Sequence, residues 1–151
     1  MKHILVPTDF SESAAAALAQ AAEMARTCSG RITLLHAIFI EKLKDDLLGL
    51  DALENLTRVL NTPTDEAAQA ITEAAKERLR KEAGTAAGVT IDTVVVDGRP
   101  SSEIVQFAKD NDVDLIVMGT HGRSPLGRAF LGSVADHVIR QADCPVMVVR
   151  K

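Results

Sequence analysis

The sequence predicts an α/β fold in which short strands alternate with helices and build a mostly parallel sheet. Five short apolar runs recur along the chain, with helical or helix-capped segments between them. Two of these runs, Leu115–Met118 and Val146–Val149, are apolar throughout, which is typical of strands covered on both faces. The 151 residues are 46% hydrophobic and 25% charged, an ordinary composition. We therefore expect one domain spanning residues 1–151.

The chain opens with a strand, a helix and a second strand. The first strand is predicted at Lys2–Pro7 and ends at a Pro-Thr-Asp turn. Ser11 is a good N-cap for the helix that follows, in which alanines and a leucine recur at helical spacing. That helix is predicted to end near Ser29-Gly30, where the glycine is a C-terminal signal. The second strand is predicted at Ile32–Ala37.

A leucine-rich segment at about residues 39–62 interrupts the alternation. Leucines recur there every three or four residues, as in an amphipathic helix. A further helix is predicted to begin with Thr62 as N-cap and Pro63 as its first residue, and to stop before Gly84. The leucine stripe is compatible with a cover for the sheet edge and with a lid or partner surface.

The second half of the chain completes the alternation. Its elements are a strand at Thr90–Val96, a helix from Pro100 to about Lys109, strands at Asp114–Met118 and Val146–Arg150, and a short helix starting near Ser133.

Composition argues against several classes of function. The net charge is −4, and the chain has four Phe but no Trp or Tyr. A basic nucleic-acid-binding face and a base-stacking platform are therefore not expected. No apolar run approaches the roughly 18 residues of a membrane span. Cys28 and Cys144 lie far apart, and no signal peptide is visible, so we expect a cytoplasmic protein without a membrane partner.

The candidate binding site is the loop after the fourth strand. Gly119 and Gly122 are separated by two residues, Gly122 and Gly132 by nine, and Ser133 follows directly. Glycines let a backbone approach a ligand closely. The free N–H groups of such a loop and of a helix N-terminus form a concavity for anions. Phosphate is the natural ligand, and Arg123 adds positive charge.

The same loop is also compatible with ordinary helix capping. Ser133 and Asp136 have the spacing of a capping box, and two glycines in a loop are common. Physical reasoning on these residues leaves phosphate binding and simple capping both open.

The glycine spacing resembles the nucleotide motif of the universal stress protein family, in its ATP-binding branch. Further blocks resemble this family and occur in its order. They are Ile4–Ser11, Leu34–Ala37, Asp114–Gly122, Gly132–Val138 and Cys144–Val149. Together they extend over nearly the whole chain except residues 39–88.

The resemblance implies an open parallel five-stranded sheet in the order 3-2-1-4-5 with helices on both faces. This is a Rossmann-like fold of the adenine nucleotide alpha hydrolase-like type. Strands 1 and 4 are neighbours in it, and their carboxyl ends form the crevice where such sheets bind ligands. Two signals far apart in sequence, Pro7-Thr8-Asp9 and Gly119–Gly122, are thereby expected at one site.

The resemblance also implies a role for each candidate residue. Pro7, Thr8 and Ala37 are expected to line an adenine pocket, largely through their backbone. Asp9 is expected near the ribose, the phosphates or a bound Mg²⁺, for which it is the candidate ligand. Met118 and Gly119 are expected to flank the sugar. The expected phosphate-binding set is His121, Gly122, Arg123, Gly132, Ser133 and Val134, with Ala135 close by.

The function implied is that of an ATP-binding universal stress protein acting as a nucleotide-dependent switch or sensor. No catalytic residue is assigned, and at most weak ATP hydrolysis is expected, since neither a Walker loop nor a GxSxG elbow occurs. The alternatives are a slow ATPase or phosphotransferase at the same site and an interaction dimer without nucleotide.

The fifth strand predicts a homodimer. In the implied order it is an edge strand, and its residues Val146, Met147, Val148 and Val149 carry no charge. Exposed apolar edges are usually covered, and the family covers this one with the same strand of a second subunit. Elsewhere, His3 is expected at a strand edge, and His36 is expected to be structural rather than a ligand.

Overall fold

The computed structural model describes residues 2–40, 64–120 and 131–150. The elements are β1 (His3–Pro7), α1 (Glu12–Cys28), β2 (Arg31–Ile38), α2 (Thr64–Ala83), β3 (Thr90–Asp97), α3 (Pro100–Asp110), β4 (Leu115–Gly119), α4 (Ser133–Gln141) and β5 (Val146–Val149). Residues 41–63 and 121–130 lie outside the described part, and with them most of the predicted leucine-rich segment.

The strands form one sheet in the order β3-β2-β1-β4-β5, and all neighbouring strands are parallel. The predicted fold class and strand order are confirmed. β1 is the central strand, and all five of its residues are buried. Leu5 pairs with Thr33 of β2 on one side and with Ile116 of β4 on the other. Because β1 and β4 are parallel neighbours, their carboxyl ends lie at the same edge of the sheet, side by side.

Helices cover both faces of the sheet. On one face, α1 and α2 pack on a core that includes Ile4, Leu34 and Val117. On the other face, α3 and α4 pack on a core that includes Leu5 and Ile116. Successive residues of a strand point to opposite faces, and for this reason neighbours such as Ile116 and Val117 contribute to different cores.

Helix α1 begins and ends where the sequence predicts. The Ser11 side chain accepts a hydrogen bond from the backbone N–H of Ala14 at 3.3 Å. Small buried residues such as Ala17 and Ala21 let the helix approach the sheet closely. At the other end Ser29 is the C-cap and takes the left-handed conformation, with φ of 50°.

His3 is not the strand-edge residue that the sequence analysis expects. It lies in the central strand and only 4% of its surface is exposed. Its Nε2 atom lies 2.8 Å from the Thr33 hydroxyl. At the same end of the sheet the Asp114 carboxylate accepts the backbone N–H groups of Lys2 at 2.6 Å and His3 at 2.9 Å. These hydrogen bonds lower the pKa of the Asp114 carboxyl.

No helix in the described part of the chain is long and apolar enough to cross a membrane.

Candidate functional site

A cleft of about 620 Å³ opens at the carboxyl ends of β1, β2 and β4. The first turns of α1, α3 and α4 border it. Every predicted binding residue that the structure describes lines this cleft. They are Pro7, Thr8, Asp9, Ala37, Met118, Gly119, Gly132, Ser133, Val134 and Ala135. The fold therefore brings together the two signals that are far apart in sequence.

Three predicted phosphate-binding residues, His121, Gly122 and Arg123, lie outside the described residues. Their roles stay predictions. The binding roles of the residues that line the cleft are likewise predictions, because the structure gives their position and not a bound ligand.

The structure adds lining residues that sequence reasoning missed. They are Ser11, Ser13, Ala14, Leu35, His36, Pro100, Ile104 and Thr120. Two signals point to some of them. Ser11 and Ser13 belong to a helix start that directly follows β1, and His36 directly precedes the predicted Ala37. Pro100 and Ile104 carry no such signal, because their place depends on how α3 crosses the sheet.

The N-terminus of α4 presents hydrogen-bond donors to the cleft. Gly132 is its N-cap and has no side chain to cap the helix. The first bond within the helix is donated by Asp136 N–H to the Gly132 carbonyl at 2.9 Å. The preceding backbone N–H groups, those of Ser133, Val134 and Ala135, have no partner within the helix. Together with the positive end of the helix dipole, these groups favour negative charge at this position.

The capping box that the sequence offers as an alternative does not form. Asp136 instead accepts a hydrogen bond from Arg140 Nε at 3.0 Å, one turn along α4. Gly132 rather than Ser133 holds the N-cap position, and Ser133 is the first helical residue. Ser133 therefore lies on the cleft wall without serving as the cap.

Gly119 is required by the approach of α1. A Cβ atom at this position would lie 2.7 Å from the backbone carbon and the hydroxyl oxygen of Ser13. Only glycine lets the end of β4 pack this closely against the first turn of α1. The glycine thus sets the spacing between two cleft walls, in addition to any contact with a sugar.

The β1–α1 turn is shaped by side-chain hydrogen bonds to its own backbone. Asp9 Oδ1 accepts the Ser11 N–H at 3.0 Å, and the Thr8 hydroxyl accepts the Phe10 N–H at 3.0 Å. Between these bonds Phe10 takes a left-handed conformation, with φ of 64°. The turn holds the Asp9 carboxylate at the edge of the cleft.

Ala37 presents both of its backbone polar groups to the cleft. The β1–β2 pairing ends at Pro7 and Leu35, with one more bond from Thr8 N–H to the Leu35 carbonyl at 2.8 Å. The Gly98 N–H, by contrast, donates to the Ile38 carbonyl on the β3 side. Because backbone direction alternates along a strand, Ala37 faces the same side as Leu35. Its N–H and C=O thus project just beyond the end of β1.

Few ionisable side chains line the described part of the cleft. Among the described lining residues only Asp9 and His36 carry ionisable side chains. His36 Nδ1–H donates to the Thr8 carbonyl at 2.8 Å, as expected for a structural histidine. Within residues 2–40, 64–120 and 131–150, no group of three or more His, Cys, Asp or Glu side chains could hold a metal. A cation beside Asp9 would need oxygen ligands from phosphates and water, as Mg²⁺ commonly has.

The chain is similar in sequence, over nearly its whole length, to one protein family and to individual members of it. The universal stress protein family matches residues 1–150. The chain is 36% identical to the universal stress protein MJ0577 of Methanocaldococcus jannaschii, over 99% of this chain and 95% of that protein. It is 32% identical to the universal stress protein YxiE of Bacillus subtilis, over 97% of each.

Solved structures show the same likeness. The structure of MJ0577 covers 99% of this chain and 96% of its own, with a TM-score of 0.80 and 33% identity. UspA of Lactobacillus plantarum matches with a TM-score of 0.70 and 30% identity, over 99% and 97% of the two chains. A universal stress protein in complex with cAMP, 23% identical over 99% and 96% of the chains, has a TM-score of 0.67 and shows the shared fold.

Proposed function

Because this chain belongs to the universal stress protein family, we propose that it binds an adenine nucleotide, with ATP as the expected ligand. We further propose that it works as a nucleotide-dependent switch or sensor in a stress response. The single observation that carries nucleotide binding is that one cleft holds a backbone donor–acceptor pair at Ala37 and, at Gly132, a helix N-terminus without a side-chain cap.

Ala37 is suited to the base. An adenine N6 amino group donates a hydrogen bond, which the Ala37 carbonyl is placed to accept, and the adjacent ring nitrogen accepts one from the Ala37 N–H. Guanine presents an acceptor, O6, in place of the amino group. A backbone carbonyl at this place therefore favours adenine over guanine. The predicted apolar surfaces of Pro7 and Met118 flank the same cleft.

The start of α4 is suited to the phosphates. The N–H groups that have no partner within the helix, together with the helix dipole, attract negative charge without a basic side chain. Such a phosphate site needs no excess of basic side chains, and the net charge of this chain is −4. In the proposal the predicted residues His121, Gly122 and Arg123 complete this end of the site. Mg²⁺ would be held by the phosphates and Asp9.

Binding is favoured over dedicated catalysis. The only ionisable described residues of the cleft are Asp9 and His36, and both side chains have structural hydrogen bonds. Positioning and charge alone could support slow hydrolysis, as in other phosphoryl transfer sites. Slow ATPase or phosphotransferase activity is thus a property of the same proposed site. Multiple fast turnovers of ATP would overturn the switch assignment.

A calorimetric titration of ATP tests the proposed function. Wild-type protein is expected to bind ATP and to prefer it to GTP. The variant Gly122→Val is expected to bind ATP at least about tenfold more weakly, a cost of about 1.4 kcal/mol. Absence of ATP affinity in the wild type would overturn the proposal. Equal binding by Gly122→Val would place the phosphates elsewhere.

We also propose the homodimer that the sequence predicts. β5 lies at the sheet edge, and Met147 on it is 36% exposed. Pairing of β5 with its copy in a second chain would satisfy the outward backbone groups of this strand. A single domain and a cytoplasmic location also stay as predictions.

A further inference from the structure

Helix α2 contacts the β1–α1 turn through two side chains that do not line the cleft. Arg78 and Glu82 lie four residues apart and therefore on the same face of α2. The Arg78 Cζ atom lies 4.0 Å from the centre of the Phe10 ring. The Glu82 carboxylate accepts the Thr8 hydroxyl, with oxygen–oxygen distances of 3.0 and 3.2 Å. Neither side chain lines the cleft, so their action on it is indirect.

Thr8 connects this helix to the site. It is only 6% exposed, and its hydrogen-bonding groups are all engaged. The backbone N–H donates to the Leu35 carbonyl, the carbonyl accepts from His36, and the hydroxyl oxygen accepts the Phe10 N–H. The hydroxyl hydrogen goes to Glu82. Removing Glu82 would leave a buried donor without its acceptor, which is costlier than losing an exposed hydrogen bond.

The turn needs such an anchor because its conformation is uncommon. A left-handed φ at a bulky residue such as Phe10 is rare, and surrounding contacts must hold it. The ring is held by Arg78 on α2 and by His36, whose ring centre lies 4.5 Å away. The Phe10 N–H is held by Thr8, which Glu82 in turn orients. Both contacts from α2 therefore act on the same short turn.

The same contacts also support the end of the cleft near Ala37, where adenine is proposed to bind. His36 directly precedes Ala37 in β2, and its ring is tied to the Thr8 carbonyl. A displacement of Thr8 would thus move the support of Ala37 and the position of Asp9 together. The N-terminus of α4, on the phosphate side, has no described bond to α2.

We propose that Glu82 is a positioning residue for the adenine end of the cleft. It acts through the Thr8 hydroxyl on the turn that carries Asp9 and on the histidine beside Ala37. This inference rests on the proposed function, since its measure is nucleotide affinity and the preference for adenine. Burial raises the pKa of the Glu82 carboxyl, and the hydrogen bond from Thr8 opposes that rise.

The test compares ATP and GTP binding by calorimetry in four variants. Glu82→Ala is expected to bind ATP about tenfold more weakly, with a smaller ratio of ATP to GTP affinity. Glu82→Gln keeps an oxygen acceptor for the Thr8 hydroxyl. It is expected to restore most of the ATP affinity and most of the ratio of ATP to GTP affinity. Thr8→Val is expected to reproduce the loss. Glu77→Ala, a control on the same helix whose exposed carboxylate pairs with Arg80 at 3.2 Å, is expected to change neither.

The outcomes separate this inference from the proposed function. Lack of ATP binding by the wild type refutes the proposed function. Wild-type binding with unchanged affinity and selectivity in Glu82→Ala refutes the positioning role alone. Equal losses for ATP and GTP, without rescue by Glu82→Gln, would mean general destabilisation and would also refute it. If Glu82→Ala does not fold, Thr8→Val takes its place in the test. An unchanged ratio of ATP to GTP affinity in Thr8→Val would then refute the positioning role.

Discussion

The backbone N–H of Gly132 donates a hydrogen bond of 2.8 Å to the carbonyl of Thr120. Thr120 in turn donates its N–H to the Val149 carbonyl at 3.1 Å. The residue after β4 is therefore tied to the edge strand on one side and to the start of α4 on the other. This pair of bonds closes the base of the glycine loop and brings Gly119 and Gly132 to one cleft.

A negative charge at the start of α4 should separate phosphate binding from base binding. Ser133→Asp places a carboxylate at the first helical position, where it interacts favourably with the helix dipole but repels a triphosphate. We expect ATP affinity to fall by about tenfold or more, which is about 1.4 kcal/mol. Adenosine affinity and thermal stability should not fall.

Calorimetry with ATP and adenosine measures this difference, and thermal unfolding measures the stability. Ser133→Asn is the matched control, because it has a similar shape without the charge. Equal loss of adenosine and ATP affinity in Ser133→Asp would mean that α4 does not face the phosphates.

Proline in β5 should disrupt a dimer without disrupting the chain. The Pro145 and Val149 carbonyls accept hydrogen bonds from the β4 side, so the alternate residue Val148 directs its N–H to the open edge. Val148→Pro removes that outward donor, and proline is tolerated at such edge positions. We expect a monomer that keeps its fold, whereas Val148→Thr keeps the donor and should stay a dimer.

Light scattering coupled to size-exclusion chromatography measures the molecular masses of Val148→Pro and Val148→Thr, and circular dichroism checks that both variants are folded. A wild-type monomer at micromolar concentration would contradict the proposed dimer. A dimer that survives Val148→Pro would mean that its interface does not depend on the β5 backbone.

Asp114 should make folding stability depend on pH. Its pKa is lowered from 3.8 in the folded chain, first by the hydrogen bond from Lys2 N–H and then by that from His3 N–H. A lowered carboxyl pKa stabilises the fold above the unfolded-state pKa, and this contribution is lost as the pH falls through the folded value. Asp114→Asn should therefore unfold more easily than wild type at neutral pH.

Chemical denaturation at a series of pH values tests this expectation. The difference in free energy of unfolding between wild type and Asp114→Asn should shrink as the pH falls below about 4. A difference that stays constant with pH would show that the charge of Asp114 has no part in it. Asp110→Asn, at the end of α3, is a control for the general effect of removing a carboxylate.

The local elements could be predicted because their signals lie within a few residues. The apolar run Ile4-Leu5-Val6 forms β1, and Ser11 caps α1 as expected. The end of α1 near Ser29-Gly30 is also where the sequence predicts it, with Ser29 as the C-cap. The resemblance to a known family supplied the strand order, which the apolar runs alone do not specify.

The cleft could be predicted as far as it follows from strand ends. Pro7 and Gly119 end neighbouring parallel strands and must lie close together once the order is known. Glu82 could not be found this way, because it lies 74 residues from Thr8 and belongs to no motif. The burial of His3 was also missed, although the implied strand order already has β1 in the centre of the sheet.

The sequence by itself determined which segments form strands and helices, and it identified the residues at the strand ends that line the cleft. The strands and helices follow from hydrophobic periodicity and capping residues, which act over one or two turns of chain, and the resemblance to a known family pointed to the residues at the strand ends. Tertiary structure alone decided that Ser13 meets Gly119 and that Glu82 holds Thr8. These contacts depend on how close separate elements pack, and packing distance is a property of the whole fold rather than of any local pattern.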